Sequence, residues 1–599
     1  MEKKYFIGID FGHGETTVSR VPGYNGLPVS QIPLKTGSNA YDKKVISAIC
    51  YKNDNWSLVF GKSDYHNDSL QEGFKGIIHD LSDENSKALR IFAQLIFERI
   101  LEVDHEIKYK SVDERNFVLG IACPTEWKTK EVRGYKNAKE EYLDFFRSKC
   151  NLPVDFCINE SDAAFFTKYN YNNSTESVFV IDLGSSTIDF TTFVNSKINE
   201  KLCWGNTSGA HRIEDILIKQ IMDTGNNRVN LLNVVRMREQ ANFTGDITPA
   251  LSLFIRKEKE THYIDQLDCI QVNIQTKDFL PQSRHMDFCV LWGVDKDEYE
   301  HIIAPYAQAL QNEIIKAKQR LTLNGITPAR VILSGGAARM PFFEKCVRDQ
   351  FADSIIDKDN EPECVVAHGV ALYAKKLDEA LNVFLDELKK IDYKYIFKRA
   401  YADAKSAAIS ELVPSVVNSI ISGRITGCDN GKYIREKFFD FLKGLDHNNY
   451  RYCQLVTNAI NRKLSEKVAS AISSAIEKVF KIRISTSDVK INTNPAIYHY
   501  LDECFVPGGY WYNSITRWIE NYSNTFIASI FFDWDEQIYS TERTKIANGV
   551  ATCLKQHDPY DRDTYRDLDE SVKDLVSQVM DLAKDEFYEQ QLFETTFKQ

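Results

Sequence analysis

An α/β fold over residues 1–377 followed by a mainly α-helical domain over 378–599 is what the sequence predicts, and three observations carry the prediction. Short β-rich runs alternate with amphipathic helical stretches through the first 377 residues, the pattern expected when helices cover sheet. Within that region an apolar strand ending in Asp-x-Gly occurs twice, around Asp10 and Asp182. From about residue 378 the glycine-punctuated strands give way to long runs of helical periodicity.

In chain order, strands are expected at 5–9, 117–122, 178–182, 190–194 and 330–333, and helices at 86–102 and 299–321. The first of these helices sets Leu89, Phe92, Leu95, Ile96 and Ile100 on one face. Beyond the boundary, helices are expected at 378–411, 433–442, 452–482, 514–532 and 568–589, with an aromatic-dense connector at 498–518. The 452–482 segment aligns Val456, Ile460, Leu464, Val468, Ile472, Ile476 and Val479 in one stripe, as a bundle helix or a partner-docking helix would. The 568–587 segment does the same with Leu568, Val572, Leu575, Val576, Val579 and Leu582, under an acidic exterior. Tyr510, Trp511, Tyr512 and Trp518 read as core more readily than as a binding platform. No internal repeat or low-complexity tract is legible.

At 599 residues the chain is several times a typical domain. Its 43% hydrophobic and 27% charged content is that of a globular protein. A formal charge of -11 argues against a nucleic-acid partner, which would require a broad basic surface. The 13 cysteines contain no CxxC pair and read as reduced, buried thiols of a cytoplasmic protein. The apolar run at 5–9 is too short for a signal-peptide core, and no run approaches the ~20 residues needed to span a bilayer. The expectation is a soluble protein without a membrane span.

Three motifs carry chemistry. YFIGIDFGHGETTVS, residues 5–19, runs from a strand through Asp10 into a tight turn with Gly12 and Gly14, then a run of hydroxyls. The glycines would let backbone N–H groups approach a polyphosphate, and Asp10 would hold a hydrated magnesium ion. VFVIDLGSSTIDFTTF, residues 178–193, repeats this logic with Asp182, Gly184, Ser185, Ser186, Thr187 and Asp189. Two such hairpins in one chain can clamp opposite sides of one phosphate tail. RVILSGGAARMPFFEKCV, residues 330–347, places Gly335 and Gly336 after a strand and Pro341 at the start of a helical run, which would bring backbone flush against a flat ligand such as adenosine.

The order and spacing of these motifs resemble the actin, heat-shock ATPase and sugar-kinase superfamily, closest to the DnaK-like heat-shock chaperones. IACPTEWKTKEVRGYKNA at 121–138, INESDAAFF at 158–166 and PECVVAHGVALYA at 362–374 are similar to further segments of those chaperones. The resemblance covers about 370 residues. It implies a two-lobed actin-like ATPase of duplicated ribonuclease H-like halves, with ATP or ADP and Mg2+ between them and hinge-like linkers.

By that resemblance Asp10 and Asp182 face the magnesium through water. Gly12, His13, Gly14, Gly184, Ser185, Ser186 and Thr187 line the phosphates. Glu160 and Asp189 match carboxylates near the attacking water, where such a group is worth about 10²–10⁴ in rate. Lys75 is the counterpart of a phosphate-facing lysine. Gly335, Gly336, Arg339 and Lys259 are adenosine-side candidates, although the run IRKEKE around Lys259 also reads as a solvated helix face.

Two departures bear on turnover. DFGHGETT puts His13 where the family carries a hydroxyl pair, and Ser185 and Ser186 stand in place of a glycine pair. The acidic-hydrophobic linker and peptide-clamping β-sandwich of the chaperones are not visible after residue 374. The expected function is therefore an ATP-driven conformational switch, with slow hydrolysis and a protein partner read through 378–599. Its alternatives are an actin-like filament former, a nucleotide sensor without turnover and a small-molecule kinase.

Overall fold

The computed structural model describes residues 4–23, 28–34, 44–52, 54–61, 64–65, 69–73, 86–128, 137–169, 176–195, 197–243, 246–280, 288–420, 458, 461–480, 483, 485–486, 510–525, 536–556 and 566–589. The chain is mixed α/β and divides into two compact units, one over Met1–Asp378 and one over Glu379–Thr596.

Two sheets organise the first unit. The first contains β1 (Tyr5–Phe11), β2 (Glu15–Pro22), β3 (Ser30–Gln31), β4 (Lys44–Ile46), β5 (Phe117–Cys123) and β6 (Phe156–Asn159), in the order β3-β2-β1-β5-β6 with β4 also on β2. The second contains β7 (Ser177–Leu183), β8 (Ile188–Val194), β9 (Lys197–Asn206), β10 (Arg330–Ser334) and β11 (Ile355–Lys358), in the order β9-β8-β7-β10-β11. In both, an antiparallel hairpin is extended by two parallel strands. The first two strands of each parallel run, β1 with β5 and β7 with β10, are nearly continuous apolar stretches because both faces are covered.

The sheets thus repeat one topology that the sequence does not display as an internal repeat. Equivalence extends to register. Asp10 is paired with Thr17 and Phe11 with Thr16, while Asp182 is paired with Asp189 and Leu183 with Ile188, so each hairpin closes through a four-residue turn two positions beyond its aspartate. What is repeated is a hydrogen-bond pattern, which tolerates almost any apolar residue in a buried strand.

The principal helices are α1 (Ser86–Val103), α2 (Glu160–Tyr169), α3 (His211–Asp223), α4 (Thr248–Ile264), α5 (Lys296–Leu323), α6 (Pro341–Gln350) and α7 (Val365–Lys389). Helix α1 buries Leu89, Phe92, Ile96 and Ile100 of its expected stripe in the core of the first sheet, where Phe11 stacks on Phe146 at 4.9 Å between ring centroids. A larger core lies against the second sheet. Each sheet's closing helix is exchanged: α2 follows β6 but packs on the second sheet, with Phe165 stacked on Phe193 at 3.9 Å, and α7 follows β11 but runs beside Gly8 of β1. The two helices touch where Thr167 donates to the Val365 carbonyl at 2.8 Å.

The sequence reading omitted two small sheets. One joins Ala48–Lys52, Asn55–Leu58 and Gln71–Glu72; the other pairs Cys269–Gln275 with Phe288–Asp295. The strand CIQVNIQ buries every second residue, the alternation of a sheet with one solvated face.

In the second unit the described helices include Tyr393–Ile420, 461–480, Tyr510–Thr525, Glu536–Gln556 and Arg566–Glu589. The expected helix at 378–411 is broken: α7 ends at Lys389, and Asp392 starts a new helix by accepting from the Tyr395 N–H at 2.9 Å. Leu464, Val468, Ile472 and Ile476 are buried as the stripe predicts; Val456 and Ile460 lie outside the described residues, as does the segment 433–442. Leu575 and Val579 are buried, joined by Ala583 and Phe587. Phe587 lies 5.7 Å from Phe480 and 6.4 Å from Phe384 between centroids, so three helices share one aromatic contact. Residues 510–518 of the expected connector belong to a helix that starts four residues earlier than predicted.

Candidate functional site

One cavity of about 1040 Å³, mouth included, opens between the two hairpins. Its walls bring together fourteen predicted residues: Asp10, Gly12, His13, Gly14, Glu160, Asp182, Gly184, Ser185, Ser186, Thr187, Lys259, Gly335, Gly336 and Arg339. Asp189 stands behind the wall, 1% exposed and directly across the ladder from Asp182, so it meets the cavity only through its neighbours. Lys75 lies outside the described residues.

The turns are built by close approach. The hairpin tips face each other, such that a Cβ on Gly14 would stand 3.3 Å from Cβ and Oγ of Ser185. Ser47 fastens the first turn: its hydroxyl donates to the Gly12 carbonyl at 2.6 Å and its N–H to the Gly14 carbonyl at 2.9 Å. The second turn is fastened by the entry to α3, where the Ala210 and His211 N–H groups donate to the Gly184 and Ser185 carbonyls at 3.0 and 2.8 Å. Gly335 has φ +84°, and a Cβ there would stand 2.8 Å from Asp182 Oδ1, so the third motif closes against the aspartate of the second. Glu160 begins α2 at the rim of the same space, a favourable place for a carboxylate at a helix N-terminus.

Sequence reasoning missed seven charged or aromatic wall residues: Glu15, Lys44, Glu214, Arg256, Glu260, Tyr263 and Glu363. A signal existed for three of them, Arg256, Glu260 and Tyr263, which share a helix face with the predicted Lys259. Arg256, Lys259, Glu260 and Tyr263 follow helical i, i+3, i+4, i+7 spacing, so IRKEKE is not a solvated face: Arg256 and Lys259 are buried and turned to the cavity. Lys44 and Glu214 stand far from any motif.

Every described cation at the wall has a carboxylate partner. Lys259 Nζ is 2.9 Å from Glu214 Oε1, which also lies 3.5 Å from Arg256 Nε; Arg256 Nη2 is 3.5 Å from Glu72, and its Nη1 donates to the Gly14 carbonyl at 3.2 Å. Arg339, which borders the cavity, forks onto Glu363 at 2.8 and 3.1 Å. Lys44 Nζ lies 2.6 Å from Glu15 and 3.4 Å from Glu260. Burial, then the Glu260 charge, raises the Glu15 carboxyl to about 7 despite Lys44. Burial alone would weaken the Lys44 ammonium, but Glu15, Glu260 and Glu363 hold its proton above the usual range.

Among the described residues no cluster of three or more His, Cys, Asp or Glu side chains is arranged to hold a metal directly. Asp10 and Asp182 both border the cavity, and two hard oxygen donors suit a magnesium ion that keeps most of its water. No helix among the described residues is long and apolar enough to cross a membrane. No protein-family model matches the chain, and no similar sequence is found among curated proteins.

Proposed function

We propose that residues 1–377 form an actin-like, two-lobed nucleotidase that binds ATP or ADP with Mg2+ between its hairpins and hydrolyses ATP slowly. One observation carries this reading: two sheets of the same strand order present two aspartate-tipped hairpins, in the same register, to one cavity. That arrangement suits a ligand with anionic groups facing both hairpins and a metal between the aspartates. Gly12 and Gly14 would offer backbone N–H groups to the phosphates, Gly184 would let them approach although its own N–H is donated to the Thr187 carbonyl at 3.0 Å, Gly335, Gly336 and Arg339 would border the base, and Glu160 would orient water. Asp189 would act through Asp182. The helical residues 378–599 would report nucleotide state to a protein partner.

Asp182→Asn is expected to weaken ATP binding in the presence of magnesium by about 10–100-fold while changing metal-free binding by less than about threefold. Titration calorimetry with and without magnesium checks it. A wild-type protein that binds no adenine nucleotide, or equal losses in both conditions, would remove the reading.

Binding without turnover is the second reading, favoured by the pairing of Arg256, Lys259 and Arg339 with carboxylates, which leaves these cations less available to a transferring phosphoryl group. Single-turnover phosphate release separates the two: release that depends on Glu160 supports hydrolysis, and release at the solution rate supports a sensor.

A further inference from the structure

The Glu15–Lys44–Glu260 cluster is built unlike the other ion pairs of the cavity. Lys44 comes from β4 and Glu15 from the first turn, both on the first sheet, whereas Glu260 comes from α4 on the opposite wall. One ammonium therefore serves two carboxyl groups, which also share a hydrogen bond with each other. Lys44 and Glu15 keep 21% and 18% of their side-chain surface, and both border the cavity, so the long Lys44 side chain can exchange one anion for another without leaving the wall.

The other wall cations lack this freedom. Lys259 and Arg256 both serve Glu214, a carboxylate that is 2% exposed, so moving either away would leave it with one partner, and Arg339 is held by both arms of its fork. Lys44 can leave because its two acceptors can share a proton between them.

We propose that Lys44 is the ligand-facing cation of this site, passed from the Glu15–Glu260 carboxyl pair to the bound polyphosphate, and that the pair takes up one proton from solvent in its place. The inference rests on the reading of the cavity as a nucleotide site. The charged groups that act on Glu15 are Lys44 on β4, Glu260 and Arg256 on α4 and Glu363 before α7, while Lys259 on α4 and His13 in the first turn border the same cavity. Loss of Lys44 removes the main influence that favours the Glu15 carboxylate, and an incoming polyanion adds to the repulsion. Both changes raise its proton affinity from the already elevated level of about 7. Binding coupled to proton uptake must weaken as pH rises, by up to about tenfold per unit for one proton.

Calorimetric titration of ATP with magnesium, at about pH 7.5–8 in buffers of different ionisation enthalpy, counts the protons; the nucleotide's own phosphate ionisation, with a pKa of ~6, is complete there. The wild type is expected to take up a substantial fraction of one proton, and Glu15→Gln none, with a flat affinity–pH profile. Lys44→Met is expected to lose about tenfold in affinity for ATP and little for adenosine, a difference that mere structural damage would not produce. Thermal melts establish that both variants are folded. Uptake that persists in Glu15→Gln, which would move the proton to His13 or elsewhere, or equal losses for ATP and adenosine in Lys44→Met, would overturn the inference. Absence of any nucleotide binding by the wild type would instead remove the functional reading beneath it.

Discussion

Arg256→Met is expected to destabilise the first unit by about 3–5 kcal/mol, the usual cost of leaving buried charges without their partner. The guanidinium, 7% exposed, is the common partner of Glu72 on the small sheet, Glu214 on α3 and the Gly14 carbonyl of the first hairpin. Methionine fills much of the volume and returns none of the donors. Glu214, 2% exposed, would keep only Lys259, and burial already raises the Glu72 carboxyl above its usual range, so that group would protonate rather than stay charged. Native-state hydrogen exchange of β7 and α4 peptides measures the loss. A second variant isolates the cause: adding Glu72→Gln to Arg256→Met should recover part of it, because that uncompensated carboxylate goes with the cation, while Glu214 is kept for Lys259 at 2.9 Å. A single-variant loss below about 1 kcal/mol would show that Arg256 is merely packed, not a junction.

That junction marks the limit of what the sequence discloses. Asp10 and Asp182 were legible because a strand that must stop in a tight turn leaves a local signature, an apolar run followed by Asp-x-Gly, and each signature is complete within ten residues. Gly335 was legible for the same reason. Lys44, Glu72 and Glu214 carry no such mark: each is an ordinary charged residue whose role comes from a partner about 29 to 216 residues away, and long-range pairing leaves no local pattern. Arg256 and Glu260 fall between these cases. Their helical spacing was readable, but whether that face meets water or a cavity is decided by α4's neighbours.

The fold divides along the same line. Strands buried on both faces announced themselves, whereas Ala48–Lys52, Asn55–Leu58 and Gln71–Glu72 are too short to distinguish from loop. No repeat of residue types displayed the common strand order, which only the resemblance to a fold of duplicated halves implied, because pairing partners, not residue types, define it. The exchange of closing helices between the sheets was equally hidden, although it left one trace. Gly369 sits in the second turn of α7, inside the helix, where glycine is unfavourable by about 1 kcal/mol relative to alanine.

Gly369→Ala is therefore expected to destabilise the first unit by about 3 kcal/mol, against the sign that helix propensity alone would give. A Cβ at this position would collide with the backbone carbonyl and Cα of Ala163, and backbone in the middle of α2 has no rotamer through which to yield. Relief requires the two helices to separate, which strains the Thr167 hydrogen bond to the Val365 carbonyl and the Phe165–Phe193 stack beneath it. Gly225→Ala is the matched control: it opens the helix Gly225–Gln240 with nothing within 4 Å of the added carbon, and should be neutral or stabilising by up to about 1 kcal/mol. Hydrogen exchange of α2 and β7 peptides reads both variants, and equal behaviour of the two would contradict the helix contact. Glu160 adds a functional readout, since it lies one turn before Ala163 on the same helix and borders the cavity. A shift of α2 large enough to admit a methyl group must move that carboxylate, so any Glu160-dependent phosphate release should fall in Gly369→Ala and stay unchanged in Gly225→Ala.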